Sequence, residues 1–433
     1  MANIPAQGSN YVVAQGDTLN RIASIAYGLH SRWPEIAAAN PQLSGRGKAV
    51  DGSPLIFPGD VLFIPADAEK KQALAAVKEN RFKNNPKEKV TIVLDGRELP
   101  NMQGRFAYGI DVLASSYNCT IAWTPKKKDE VNEYKEWLDE ATARGSFANS
   151  ELYIGAELVC TARLYAREAH IAKDGMTKNL EFYSVTADIV DSHIPPAFSE
   201  IKNSDLKQIA EKLLALHGFP VTFYKCDPGN PFDVVERSGV ETVAKYLQRL
   251  AAQRGLFVSC DERGGVVFQK AANSGTPVAR IEYPGRVAVE YKARFDDRLR
   301  FAKYFASSMA GDGTPLNATA SDPQVPAARQ ILFEANDADA STIKGAAEWR
   351  MLRIELEALS VNFPVSDWFD ASGKLWKPNT IVTAKSPVLD IPDEKNYVVK
   401  NVEFAWTASE RSAQLTLVPP LKVEGGKLKV GVK

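Results

Sequence analysis

Between residues 10 and 65 the apolar residues change their spacing twice, and this restricts the fold more than any other feature of the chain. Tyr11-Val12-Val13 reads as a short strand that ends in the turn signal Gln15-Gly16-Asp17. Thr18 can then cap a helix that carries Leu19, Ile22, Ala23 and Ala26 on one face and stops at Gly28. A second short helix has Pro34 in its first turn, Ile36, Ala37 and Ala38 inside, and its end at Asn40-Pro41. The turn Pro58-Gly59-Asp60 leads into a closing strand, Val61-Leu62-Phe63-Ile64. The order is strand, helix, helix, strand.

Beyond this unit the character of the chain changes several times. Residues 67–88 read as a linker, an Ala/Lys/Glu-rich helix followed by the basic run Arg81-Phe82-Lys83-Asn84-Asn85-Pro86-Lys87. Residues 89–200 alternate in the manner of strands, with Val90-Thr91-Ile92-Val93-Leu94 turning at Asp95-Gly96, a strand pair over 151–166 and a further strand over 180–189. Within this block, 126–143 has Val131, Tyr134, Trp137, Leu138 and Ala141 on one helical face, and this stripe is expected to pack on the block's own strands rather than dock a partner.

Residues 201–278 read as an α/β segment. Leu206, Ile209, Leu213 and Leu214 mark a helix ending near Gly218. Ser238 and Glu241 form a capping box for a second helix with Val243, Leu247 and Leu250 inward, stopped by Gly255. A hairpin over 256–268 turns at Asp261-Glu262-Arg263-Gly264-Gly265. Residues 279–420 return to strands, at 359–365, 380–384, 397–404 and 413–418. They also hold a helix over 340–357 and a Gly/Ser/Asp/Pro-rich stretch, 307–329, that reads as a long loop. Residues 421–433 form a tail. The expected class is α+β, mainly β, with two strand-rich blocks around an α/β segment.

With 53 basic and 53 acidic side chains, the chain has no global excess of positive charge for neutralising phosphates, which argues against a dedicated nucleic-acid binder. No apolar run approaches the roughly 20 residues that span a bilayer, and the first residues lack a secretory pattern. Cys119, Cys160, Cys226 and Cys260 form no C-x-x-C pair and are expected as free thiols within or beside strands, so no metal site is expected. The four histidines fall in no catalytic motif, and Cys160 is not paired by sequence with His170 or His193, so no catalytic residue is assigned and no cofactor is implied. Trp376 and Trp33 are expected as packing residues.

The first unit resembles the LysM family: Tyr11-x-Val13-x-x-Gly16-Asp17-Thr18-Leu19, then Ile22-Ala23, Asn40-Pro41 and Pro58-Gly59-Asp60-x-Leu62-x-Ile64-Pro65. It spans residues 1–66. If the unit binds sugar, the resemblance implies a groove lined by Gly16, Asp17, Thr18, Leu19, Asn40 and Pro41. The loop over 43–54 is longer than the common pattern, and a role as a protein–protein clamp is expected in preference to peptidoglycan binding.

The body resembles the baseplate hub family of Mu-like phages, which is related to late-control D proteins and to the hub portion of type VI spikes. The residues that carry this likeness are 155–162, 184–191, 206–210 with His217-Gly218, 254–257, Gly373-Lys374-Leu375-Trp376-Lys377-Pro378-Asn379, and 415–420. The resemblance implies two tail-tube-like β-barrel domains, 89–200 and 279–420, flanking the middle domain. It further implies a homotrimer joining the hexameric tail tube to the trimeric spike, with genomic DNA passing through its lumen without specific binding. Other baseplate proteins would be gripped by the LysM unit, the location would be the virion tail baseplate assembled in the host cytoplasm, and the role would be structural rather than enzymatic. The alternative is a LysM-targeted peptidoglycan-binding protein or cell-wall hydrolase.

Overall fold

A computed structural model describes the chain outside residues 1–4, 6–7, 16, 28–32, 48, 50–52, 66–85, 125–131, 173–174, 238–239, 273, 283–291, 294–295, 311, 336–337, 341, 359, 366, 388–390, 409, 425–426 and 431–433. The chain divides into two units, one of residues 1–89 with 408–410 and one of the remainder. Gly16, Gly28, Val131 and Ser238, and the whole of the expected linker helix, lie outside the described residues.

In the first unit, β1 (Ser9–Val12) is followed by α1 (Leu19–Tyr27), α2 (Trp33–Ala38) and β2 (Val61–Ile64), and the two strands pair antiparallel. Alternation decides which residues turn inward. Tyr11, Val13, Leu62 and Ile64 join Leu19, Ile22, Ala23, Ile36 and Leu43 in one small core, with Trp33 packed against it. The expected order holds.

The second unit is built on one sheet of 13 strands. Its first strands are β3 (Val90–Leu94), β4 (Arg97–Leu99), β5 (Asn101–Gly109), β6 (Ser116–Ala122), β7 (Asn149–Ile154), β8 (Glu157–Ala172) and β9 (Gly175–Ser184). Between β6 and β7 lies α3 (Glu133–Ala141), capped by the Asn132 side chain. Leu138 and Ala141 enter the core of the sheet, and Lys178 on β9 reaches Asp139 at 3.1 Å and Thr142 at 2.8 Å. The apolar stripe therefore packs on its own sheet, as expected.

The middle segment opens with α4 (Ala187–Asp191), where a strand continuing to residue 189 was expected. Then come β10 (Glu200–Ser204), α5 (Leu206–Ala215), β11 (Val221–Tyr224), β12 (Phe232–Glu236), α6 (Val243–Gln253), β13 (Phe257–Cys260) and β14 (Val266–Gln269). A full capping box, Asp205 with Gln208, starts α5. The cap of α6 is Thr242, whose side chain accepts from the Lys245 amide; Glu241 pairs instead with Arg249 at 2.9 Å. The box expected at Ser238 placed the start of the helix too early. β11 lies parallel to β14 and β13 antiparallel to it, the latter forming the expected hairpin.

The last segment contributes β15 (Arg280–Glu282), β16 (Lys292–Ala293), β17 (Lys303–Met309), β18 (Pro315–Ser321), β19 (Gln330–Glu334), α7 (Ile343–Ala358), β20 (Val361–Val365), β21 (Ile381–Ser386), β22 (Ile391–Trp406), β23 (Arg411–Val418), β24 (Leu421–Glu424) and β25 (Lys427–Val430). The stretch 307–329, expected as a loop, instead supplies β18, which pairs with β17 along its whole length. Its alternation is weak because only Ala320 of β18 is buried, in a small core with Tyr304, Ala306 and α7. Trp376 is buried, its indole N–H bonded to the Asp367 carbonyl at 2.8 Å.

The mainly-β class is observed, with the two strand-rich blocks fused rather than separate. β5 of the first block pairs with β22 of the last, and the sheet runs from β16 to β4 without its ends pairing among the described residues, so no barrel closes there. One row of directly opposed side chains crosses the junction: Phe404 on β22, Phe106 on β5, Tyr117 on β6, Phe182 on β9 and Leu164 on β8. All five are buried. Each is worth about 2–3 kcal/mol in area removed from water. Beside them, Gly104 passes under the Trp406 ring, where an added Cβ would lie 2.4 Å from the ring and 2.1 Å from the Asn118 carbonyl. Gly104→Ala is therefore expected to destabilise this unit by about 1–3 kcal/mol, read as a lowered calorimetric midpoint with the first unit's transition unmoved.

Candidate functional site

Two surfaces are candidates. In the first unit, the groove residues expected from the motif serve mainly to hold the fold. Asp17 accepts from the Tyr11 hydroxyl at 2.6 Å and from the Ala14 amide at 2.8 Å. That hydrogen bond to a carboxylate, with burial, pushes the Tyr11 phenol up to about 12. Thr18 accepts from the Arg21 amide at 3.2 Å, the helix cap expected, and Leu19 is fully buried. Asn40, 2% exposed, makes four bonds. Its amide donates to the Ile36 carbonyl at 2.6 Å and the Phe63 carbonyl at 2.8 Å, and its oxygen accepts from the Phe63 amide at 2.8 Å and Gln42 at 3.0 Å. Leu19 and Leu43 bring the two motif loops onto one core, while Thr18 and Pro41 are exposed.

The long loop is fixed by a contact the motif does not announce. Arg46 forks onto both oxygens of Asp60, at 2.5 and 3.2 Å, and its guanidinium lies 5.6 Å from the centre of the Phe57 ring. The Phe57 amide adds a third bond to Asp60 at 2.8 Å. Arg46 first, and this amide second, hold the Asp60 carboxyl below its usual range. On the outer side of the β1–β2 pair, Val12 and Val61 stand directly opposite each other, 46% and 53% exposed, and Phe57, ahead of β2, is 56% exposed.

In the second unit, the face of the sheet opposite the aromatic row is polar across several strands. One cross-strand row runs Gln414, Glu403, Ala107, Ser116, Tyr183, Arg163 and Asn149; the next runs Ser412, Ala405, Arg105, Asn118, Glu181 and Ala166. Arg105 and Glu403 pair at 3.5 Å, and Arg163 reaches Asp188 at 2.5 Å. Cations and anions alternate, so this wall has little net field. No amphipathic count of a single strand reveals these rows, because they join strands from residues 105 to 414.

Cys119 and Cys160 are free and buried, and burial pushes the Cys119 thiol up to about 12 and Cys160 well above its ordinary value. Neither is a ready nucleophile. Among the described residues no cluster of His, Cys, Asp and Glu is arranged to hold a metal, and no helix is long and apolar enough to cross a membrane.

Residues 186–270 match the family model of the second domain of gp44-like baseplate hub proteins, and residues 11–65 match the LysM domain. The baseplate hub protein gp44 of Escherichia phage Mu is 27% identical over 273 residues, which cover 58% of this chain and 68% of that protein. The 43 kDa tail protein of prophage MuSo2 from Shewanella oneidensis shares the fold with a TM-score of 0.64 at 20% identity, over 76% of this chain and 98% of that one. A tail protein from Neisseria meningitidis MC58 does so with a TM-score of 0.64 at 16% identity, over 78% and 97%. The chain is thus similar to phage baseplate hub and tail proteins, and its residues 11–65 to LysM domains. The resemblance to the Mu-like hub proteins read from the sequence is borne out.

Two outcomes follow. Asn40→Ala is expected to destabilise the LysM unit by about 2–4 kcal/mol, since it strips bonds from buried backbone groups, and thermal unfolding measures it. Because the folded-state pKa of Asp60 is depressed, its contribution is complete above the unfolded value of about 4 and disappears as pH falls through the folded one. Arg46→Ala should raise the Asp60 pKa in a carboxylate NMR titration; an unchanged value would remove Arg46 as the cause.

Proposed function

We propose that this chain is the structural baseplate hub of a contractile tail, a trimeric adaptor between a hexameric tail tube and a trimeric spike. The observation that carries the reading is the fusion of two strand-rich blocks into one sheet whose outer face is polar and balanced in charge. A wall of this kind lets a polyanion such as DNA pass without holding it, because neither sign of charge accumulates. The Mu relative, named as a baseplate hub, supports the same role, and the protein would then sit in the virion baseplate. Assembly through exposed strand edges, in a ring of like copies, needs no catalytic group, so the role is structural.

The LysM unit is read as a clamp on another baseplate protein. The observation favouring this over wall binding is that Asp17 and Asn40 spend their polar atoms inside the fold, while the apolar Val12, Val61 and Phe57 are exposed. Gly16, Asp17, Thr18, Leu19, Asn40 and Pro41 remain the groove residues of the peptidoglycan alternative.

The deciding measurement is the native mass of the full chain, alone and mixed with the cognate spike. A trimer, or a monomer that becomes a three-to-three complex, is expected. A monomer indifferent to spike and tube would sink the hub reading. Cosedimentation with purified peptidoglycan, with a zymogram beside it, tests the alternative; retention in the pellet or a lytic band would favour it.

A further inference from the structure

A cleft of about 620 Å³ opens where the middle segment meets α7 and the start of β21. Three cations line it, Lys225 after β11, Arg254 after α6 and Lys270 after β14, and no carboxylate is among the lining residues. In a chain with 53 charges of each sign this is a local imbalance.

The cleft is built rather than incidental. Arg254 is held in place by a bond from its Nη2 to the Asn230 carbonyl at 2.7 Å and by stacking 4.3 Å over the Phe232 ring, while its Nε has no partner. Gly229, at a φ of +80°, makes room for it; a Cβ there would lie 2.8 Å from that Nε. Trp349, which also lines the cleft, is 5% exposed with its indole N–H unpartnered. Lys225 and Asn379 have φ values of +50° and +63°, two of five non-glycine residues in that region among the described residues. Burial lowers the Arg254 pKa, and Asp339, the opposite charge that acts on it, stands outside the lining.

Surplus donors and cations in a cleft call for an anionic acceptor, and a planar carboxylate matches a fixed guanidinium. The neighbouring backbone favours a peptide as its carrier. β11 is an edge strand of its three-stranded sheet, and it ends at Tyr224, half exposed on the rim. A segment running beside that edge could use main-chain bonds and set an acidic side chain into the cleft. We propose that this cleft binds a carboxylate presented by an acidic peptide segment of a partner protein. It requires no particular oligomeric state, so it stands or fails apart from the hub reading.

The test uses the full chain and a fluorescein-labelled hexaglutamate peptide, followed by fluorescence anisotropy at low salt. Lys225→Gln and Lys270→Glu are each expected to weaken binding about tenfold with an unchanged thermal midpoint, while Lys303→Glu on β17 leaves it unaltered. Unlabelled hexaglutamate should compete and hexaglutamine should not. Absence of binding, or equal binding by all three variants, would overturn the proposal. So would competition by inorganic phosphate at peptide concentrations, which marks a small-anion site, or displacement by a shorter dose of single-stranded oligonucleotide, which marks a nucleic-acid site.

Discussion

The row Phe404, Phe106, Tyr117, Phe182 and Leu164 is the contact on which the second unit depends, because it closes a loop of some three hundred residues. β5 and β22 lie far apart in the sequence of the second unit, and their pairing fixes both blocks in one sheet. The entropy of closing such a loop grows only slowly with its length, whereas each aromatic side chain in the row removes a large apolar area from water. The balance favours fusion of the blocks over two independent domains. Gly104 is part of the same solution, since Trp406 can cover the row only where no Cβ intervenes.

From that junction the other features follow. β22 is long enough to serve two sets of neighbours: its first half pairs with β21, and its second half lies between β23 and β5. The change occurs at a bulge between Val399 and Asn401, where Lys400 is turned to pair with Asp111 at 3.0 Å. The aromatic row faces the core, so the alternate residues of the same strands must form the polar wall. A core of this geometry and a neutral, hydrophilic face are two consequences of one register.

The LysM unit illustrates a different relation between motif and use. Asp17, Thr18 and Asn40 match the LysM motif because the fold needs them, as turn lock, cap and strand clamp. A motif match at such positions reports architecture more strongly than ligand. Val12, Val61 and Phe57, which face outward, are not among the LysM motif residues.

Local periodicity in the sequence determined the helices and most strands. Leu206 with Ile209 and Leu213, Val243 with Leu247 and Leu250, and the alternation of 90–94 each bury one face, and burial of one face is what periodicity encodes. Where only one side chain of a strand is buried, as at Ala320 in β18, that signal fell away and a strand read as a loop. The cap at Thr242 was hidden by a better-looking Ser238, since two hydroxyl residues close together satisfy the same rule. What no local pattern could hold was decided in three dimensions: the pairing of β5 with β22, the polar rows across it, and the meeting of Lys225, Arg254 and Lys270 around one cleft. These join residues far apart in the chain. Their juxtaposition is set by the register and packing of whole elements, which a single sequence does not spell out.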